Sequence, residues 1–124
     1  MKEIKAIIQP FMLTRVVTAL HKIEGLPGIT ISEIKGFGKS RGKKSSLSGI
    51  PPEAGENGNI EEGIYEFIPK VKIEMVVQDE MVEEVLATIK ENAHTGNPGD
   101  GKIFVIEVSN VVKIRTNERG EIAL

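Results

Sequence analysis

An α+β fold is predicted by three features of this sequence. Apolar and polar residues alternate near residues 2–9 and again from Pro69, which marks strands. Each alternating run is followed by apolar residues at helical spacing and then by a further β-rich run. Between the two halves, residues 39–68 fit no regular pattern. With 124 residues, the chain is long enough for one domain, taken as 1–124, with a sizeable buried core.

Ile4, Ala6 and Ile8 alternate along the first strand, and Pro10 breaks it. Leu13, Val16, Val17, Leu20 and Ile23 then fall on one face of a helix, which Gly25, Pro27 and Gly28 end. Ile29 to Lys35 is β-branched and reads as a second strand, closing at a turn formed by Gly36, Phe37 and Gly38. Residues 39–68 hold Gly, Pro, Ser, Asn and charge; so long an irregular stretch is functional or disordered. Its charge is split, with Lys39, Arg41, Lys43 and Lys44 first and Glu53, Glu56, Glu61, Glu62 and Glu66 later. Val71, Ile73, Met75 and Val77 form a half-buried strand, and Asp79 is placed to cap the next helix. That helix shows Val82, Val85, Leu86, Ile89 and Ala93 on one face. A strand over 103–108, a short strand Val111–Arg115 and a charged tail follow. The order is the ferredoxin-like βαββαβ with a short extra C-terminal strand and a long flexible loop. Two helices cover one face of a four-stranded antiparallel sheet, so the other face calls for self-association.

Composition removes several functions. No Trp and one Tyr leave no base-stacking platform, and a net charge of −2 argues against general nucleic-acid binding. With no Cys there is no disulfide, thiolate metal site or Cys nucleophile. No apolar run approaches membrane-spanning length, and the chain begins on a strand pattern rather than a signal peptide. A cytoplasmic protein without membrane insertion is expected.

Chemistry concentrates in the run from Thr95 to Lys102, which carries Gly96, Gly99, Asp100 and Gly101. Glycines let backbone N–H groups approach a ligand, and Lys102 adds a positive charge, which suits a phosphate chain. A plain helix-to-strand connection needs one glycine rather than three. Gly36-Phe37-Gly38-Lys39-Ser40 looks like the end of a phosphate-binding Gly-Lys-Ser motif. The glycine that motif requires five positions before Gly38 is Glu33, so it is rejected and an ordinary β-turn explains the run equally well. Lys70 and Lys72 share one strand face, as do Lys113 and Arg115. Each alone reads as a solvated lysine or arginine; beside two glycine-rich segments they favour a polyphosphate site. His21 and His94 each sit late on a helix, where the dipole favours them, and no metal-ligand spacing surrounds them. No catalytic dyad or triad can be assembled, so no enzyme is expected.

The chain resembles the PII signalling proteins, a nitrogen-regulatory family. The residues that carry the resemblance are Met1 to Phe11, Glu33 to Gly38, Pro69 to Glu74, Thr95-Gly96 with Gly99 to Val105, and Ile114-Arg115-Thr116. The resemblance implies a homotrimer with ATP and ADP competing for clefts between subunits, a site compatible with Mg²⁺. It implies that Gly36, Phe37, Gly38 and Lys39, with Ser40, stand at the base of a long T-loop and face the nucleotide, with Thr30 and Val76 near that base. It implies that Gly99, Asp100, Gly101 and Lys102 form a phosphate-holding B-loop, that Lys113 and Arg115 reach phosphates, and that Lys70 lies near the terminal one. The T-loop, 39–68, would control a target protein, a membrane transporter or an enzyme.

Three departures from the family pattern matter. Lys39-Ser40 stands where the family usually has Arg-Gln, and a Ser hydroxyl lacks the amide that helps hold Mg²⁺ and 2-oxoglutarate, which argues against 2-oxoglutarate sensing. Lys113 replaces an Arg and loses bidentate geometry. The T-loop is longer than usual and its one Tyr, Tyr65, lies near its far end, so regulation by uridylylation is not expected. Two other readings remain on the same fold: a trimeric CutA-like metal-response protein, which does not need Gly99-Asp100-Gly101-Lys102, and a slow ATPase or acylphosphatase-like enzyme, which would need a general base.

Overall fold

Alternation in β1 (Lys2–Ile8) buries Ile4, Ala6 and Ile8 on one side and leaves Glu3, Lys5 and Ile7 half-buried on the other. The computed structural model describes residues 1–38 and 66–124. In them, β2 (Thr30–Gly38), β3 (Glu66–Val77) and β4 (Gly101–Glu107) join β1 in one antiparallel sheet, ordered β2-β3-β1-β4. The helices α1 (Leu13–Leu20) and α2 (Val82–Ala93) pack against each other and cover one face. Val16 and Leu20 from α1 and Val85, Ile89 and Ala93 from α2 meet Ile4, Ala6, Ile8, Val71, Ile73, Met75 and Val77 in a single core. This is the ferredoxin-like α+β fold that the order of elements predicts.

The face away from the helices is open in the single chain. Its register runs Thr30–Glu74–Lys5–Phe104 in one row and Ser32–Lys72–Ile7–Lys102 in the next. Phe104 and Ile106 lie on it and are 46 % and 40 % exposed. Apolar side chains among lysines on one sheet face are the surface that self-association would cover.

Several local expectations are corrected. Gly36, Phe37 and Gly38 form no turn: they are the end of β2, paired with Ile68, Phe67 and Glu66. The rings of Phe37 and Phe67, directly opposite each other, lie 5.0 Å apart, and such a cross-strand aromatic pair offsets the weak strand preference of the glycines. Glu66, Phe67 and Ile68 therefore belong to a strand, while 39–65, with Lys39, Ser40, Tyr65 and the length of the T-loop, lies outside the described residues. Helix α1 stops at Leu20; Ile23 is buried through tight turns in which His21, Lys22 and Ile23 N–H groups donate to Val17, Ala19 and Leu20 carbonyls.

Asp79 does not cap the second helix. It opens a 3₁₀ turn, and its carboxylate accepts from the Met1 ammonium at 2.9 Å and Lys2 Nζ at 3.0 Å. The ammonium of Met1, then Lys2, hold the Asp79 carboxyl below its ordinary value. Glu107, 2.8 Å from Lys2, joins the knot and, ahead of Asp79, pushes the Lys2 ammonium up. The segment Val111–Arg115 is one arm of a hairpin closed by the single bridge Val112↔Arg119, with Asn117 left-handed at φ 64°.

Gly101 is the tightest point of the sheet. Its φ is +108°, and a Cβ there would stand 1.7 Å from the Ile7 carbonyl oxygen, inside the β1–β4 ladder. Gly101→Ala is expected to lower stability by roughly 2–4 kcal/mol, through backbone strain plus overpacking. Gly36→Ala, whose Cβ would meet nothing closer than 3.7 Å, is expected to stay within about 1 kcal/mol of the unsubstituted chain. Urea unfolding of both variants checks the contrast.

Candidate functional site

The end of α2 at Ala93 is followed by a loop that folds on itself before β4 begins. Asp100 organises it. Its carboxylate accepts from the Thr95 N–H at 2.7 Å, the Gly96 N–H at 2.9 Å and the Thr95 hydroxyl. Thr95 Oγ1 in turn accepts from the Asn97 N–H at 3.1 Å. The Thr95 hydroxyl, then its N–H and that of Gly96, hold the Asp100 carboxyl below its ordinary value, so the clasp is charged at neutral pH. Gly96 and Gly99 take φ of +89° and +97°, which only glycine adopts readily.

The clasp divides the donors of the loop. The N–H groups of Thr95, Gly96 and Asn97 are spent inside it, and Pro98 has none. Among the described residues, the N–H groups of Gly99 and Asp100 donate to no protein acceptor. Two successive free N–H groups beside a lysine form a concavity for an anion. Lys102, exposed and opposite Ile7 on the open face, supplies the lysine.

The loop is tied to the sheet from the side. Lys70 Nζ donates to the Gly99 carbonyl at 2.5 Å, and the Gln9 amide lies so close that a Cβ on Gly99 would stand 3.0 Å from its nitrogen. Lys70 is the first residue of β3 beyond the β1 ladder, where the β2–β3 hairpin runs on alone. Past Ile8 and Val71, five residue pairs from Ile34↔Lys70 to Gly38↔Glu66 extend beyond β1, a stalk of about 17 Å. Lys70 and the loop at Gly99–Lys102 thus meet at one end of the sheet, and the stalk carries Gly36 and Gly38 outward from it. Gly36 lies three strand spacings from Gly101, about 14 Å across, and about 10 Å further along the strands. Phe37 registers with Phe67 on the helix side, away from the lysines.

Thr30 and Val76 are not near the base of the loop. Thr30 opens β2, eight residues from Gly38 and about 27 Å along the strand. It lies at the opposite end of the open face, where a groove of about 340 Å³ is lined by Thr30, Glu74, Val76, Val111 and the chain end at Ala123–Leu124. The nine-residue length of β2 is the reason. The hairpin that carries Lys113 and Arg115 continues from Val111 at this same end. Lys113 is not idle there: Glu118 Oε1 stands 3.7 Å from its Nζ. The roles of Thr95 as the partner of Asp100, of Gln9 beside Gly99 and of Glu118 beside Lys113 show only in the fold. Of these, only Thr95 carried a signal, as a hydroxyl residue followed by glycine and, five positions on, by Asp100. Among the described residues no group of three or more His, Cys, Asp and Glu could hold a metal ion, and no helix is long and apolar enough to cross a membrane.

A ferredoxin-like sheet with a glycine loop at one end and a long hairpin stalk beside it is the framework to set against known proteins. The family model described as Nitrogen regulatory protein P-II matches residues 1–118. A Nitrogen regulatory protein P-II of Azospirillum brasilense is 47% identical over 120 residues, covering 97% of this chain and 96% of that protein. Nitrogen regulatory protein P-II 1 of Escherichia coli strain K12 is 43% identical over 124 residues, covering all of both chains. A crystal structure of Arabidopsis thaliana PII bound to citrate superposes with a TM-score of 0.72 at 40% identity, covering 99% of this chain and 91% of that one. The chain belongs to the nitrogen regulatory P-II family, whose members are signal-transduction regulators rather than enzymes.

Asp100→Asn and Thr95→Val are each expected to speed amide exchange at Gly96 by about tenfold or more, because a charge-assisted bond of the clasp is lost. The sign with pH follows from the lowered carboxyl. The clasp is complete above the ordinary carboxylate range and is lost as pH falls through the folded-state value. Exchange at Gly96 measured by NMR from neutral to acid pH checks this.

Proposed function

We propose that this protein binds ATP and ADP in clefts between the subunits of a homotrimer. The nucleotide state then sets how residues 39–65 engage a target protein. The observation that carries the reading is the free pair of N–H groups at Gly99 and Asp100, flanked by Lys102 and Lys70 at the foot of the stalk. Polyphosphate fits this donor set: N–H groups meet its oxygens, and the lysines offset its charge.

The rest of the site, its adenine end and its further phosphate contacts, needs other residues. Thr30, Val76, Lys113 and Arg115 belong to the far end of the same face, one β4 length or about 20 Å from the glycine loop. One chain therefore carries two half-sites facing opposite ends of its sheet. A second copy docked head to tail would complete each one, and a head-to-tail contact that closes makes a ring. Exposed Phe104 and Ile106 on that face supply apolar surface for the contact. Mg²⁺ would arrive with the phosphates as ligands, as that ion usually does. The citrate of the Arabidopsis relative, a polyanion, is in keeping with an anion site.

The route from nucleotide to target runs through the stalk. Gly38 and Glu66, its last pair, lead straight into 39–65, and phosphates drawn to Lys70 act on its first pair. Order–disorder switching of a segment by a terminal phosphate is an established device. A partner protein in the cytoplasm, a transporter or an enzyme, is the target class.

Calorimetry of the full chain with ATP, ADP and AMP, with and without Mg²⁺ and 2-oxoglutarate, tests the reading alongside light scattering for the trimer mass. ATP and ADP are expected to bind and to compete. Lys102→Ala is expected to weaken ATP by about tenfold or more, the worth of a charge-assisted contact. A monomer, or a chain indifferent to all three nucleotides, rules the reading out.

A further inference from the structure

The hairpin after β4 fixes a pairing that the nucleotide reading leaves unused. The Lys113 N–H donates to the Glu118 carbonyl at 2.9 Å, and Val112 bridges Arg119 one step away. Lys113 and Glu118 are thus directly opposite, and side chains so placed share a face about 5 Å apart at Cβ. Whatever approaches the Lys113 ammonium also approaches the Glu118 carboxylate.

Glu118 is the better held of the two. Its Oε1 accepts from the Thr116 hydroxyl at 2.9 Å, and its N–H donates to the same Thr116 oxygen at 3.3 Å. The same Oε1 stands 3.7 Å from Lys113 Nζ. Both side chains are 40 % exposed, so the pair is a long, solvated contact of the weak kind. Such a contact can be exchanged for a phosphate at small cost.

We propose that Glu118 is a built-in competitor of the nucleotide: its carboxylate occupies Lys113 where a phosphate oxygen would, and so sets the affinity of the site. Resting on the nucleotide reading given above, the inference adds a residue that lowers affinity instead of raising it. In the unliganded chain Lys113 faces Glu118. On binding, Lys113 turns to the phosphate and Glu118 keeps Thr116 as its donor. The net attraction at this end of the cleft is what remains after one negative charge is subtracted. A nucleotide with more phosphate charge near Lys113 feels that charge more, so ATP is affected more than AMP.

The test is calorimetry on the full chain with ATP, ADP and AMP, for the unsubstituted protein, Glu118→Gln, Glu121→Gln and Lys113→Gln. Glu118→Gln keeps an acceptor for Thr116 and removes only the charge. It is expected to tighten ATP about three- to fivefold at low salt, the range of a solvated ion pair, with a smaller gain for AMP and a gain that shrinks as salt is added. Lys113→Gln is expected to weaken ATP. Glu121, exposed on the same segment, controls for general charge, and Glu121→Gln is expected to leave ATP within about twofold. Unchanged or weaker ATP binding by a folded Glu118→Gln, or equal tightening by Glu121→Gln, overturns the proposal while nucleotide binding stands. No nucleotide binding by the unsubstituted chain and by Glu118→Gln alike overturns the nucleotide reading and this inference with it.

Discussion

Strand β1 hydrogen-bonds to β3 on one side and β4 on the other, and the meeting of Lys70 with the Gly99–Lys102 loop follows from those two ladders. Ile8 faces Val71 across one and Gly101 across the other, so the residues just beyond are forced together at the end of the sheet. That is why Lys70 reaches the Gly99 carbonyl although the two are 29 positions apart in sequence. A slip of one residue in either ladder would send Lys70 or Lys102 to the helix side and bring a core residue to the open face. Gly101 secures the β4 register, since the Ile7 carbonyl leaves no room there for a side chain.

The glycine loop shows how order and vacancy are combined. A loop that met all its own hydrogen bonds would have nothing to offer an anion. One that met none would be too mobile to hold a geometry. Asp100 resolves the conflict by taking the first half of the loop and leaving the second half free. The carboxylate of Asp100 is thus spent on the loop, even though its residue belongs to the run proposed to hold an anion. Its own N–H, next to that of Gly99, is the group left for a ligand.

Sequence made the elements and one half of the site legible, and the reasons are specific. Alternation and helical spacing are short-range, so β1, β3 and α2 could be placed from Ile4, Ala6 and Ile8, from Val71 to Val77, and from Val85, Ile89 and Ala93. Three glycines with Asp100 and Lys102 in eight residues pointed to the loop itself. Pairing is long-range, and there the reading was weaker. Gly36 and Gly38 look like a turn until Phe67 is seen opposite Phe37. Asp79 looks like a cap until the fold brings Met1 and Lys2 to it. The resemblance sets Thr30 and Val76 near the loop base, and the register of the nine-residue β2 puts them at the other end of the face. Glu118 had no signal, because its role depends on a hairpin that carries one bridge and no strand pattern.

On the proposed reading, a site split between the two ends of one face ties ligand binding to assembly. If the phosphate end and the far end come from different copies, the nucleotide bridges an interface, and binding energy spent at the cleft also stabilises the ring. The converse follows by linkage: whatever tightens the subunit contact tightens the nucleotide. The stalk makes that coupling useful. Its first pair, Ile34↔Lys70, contains the lysine that holds the glycine loop, and its last pair opens into 39–65. A phosphate that competes with the Gly99 carbonyl for Lys70 therefore acts at the root of the segment that meets the target. At the other end of the proposed cleft, Glu118 would set how much of the nucleotide's charge is already answered before it binds. Affinity and response would then be controlled by different residues on different copies, so one could change without disabling the other.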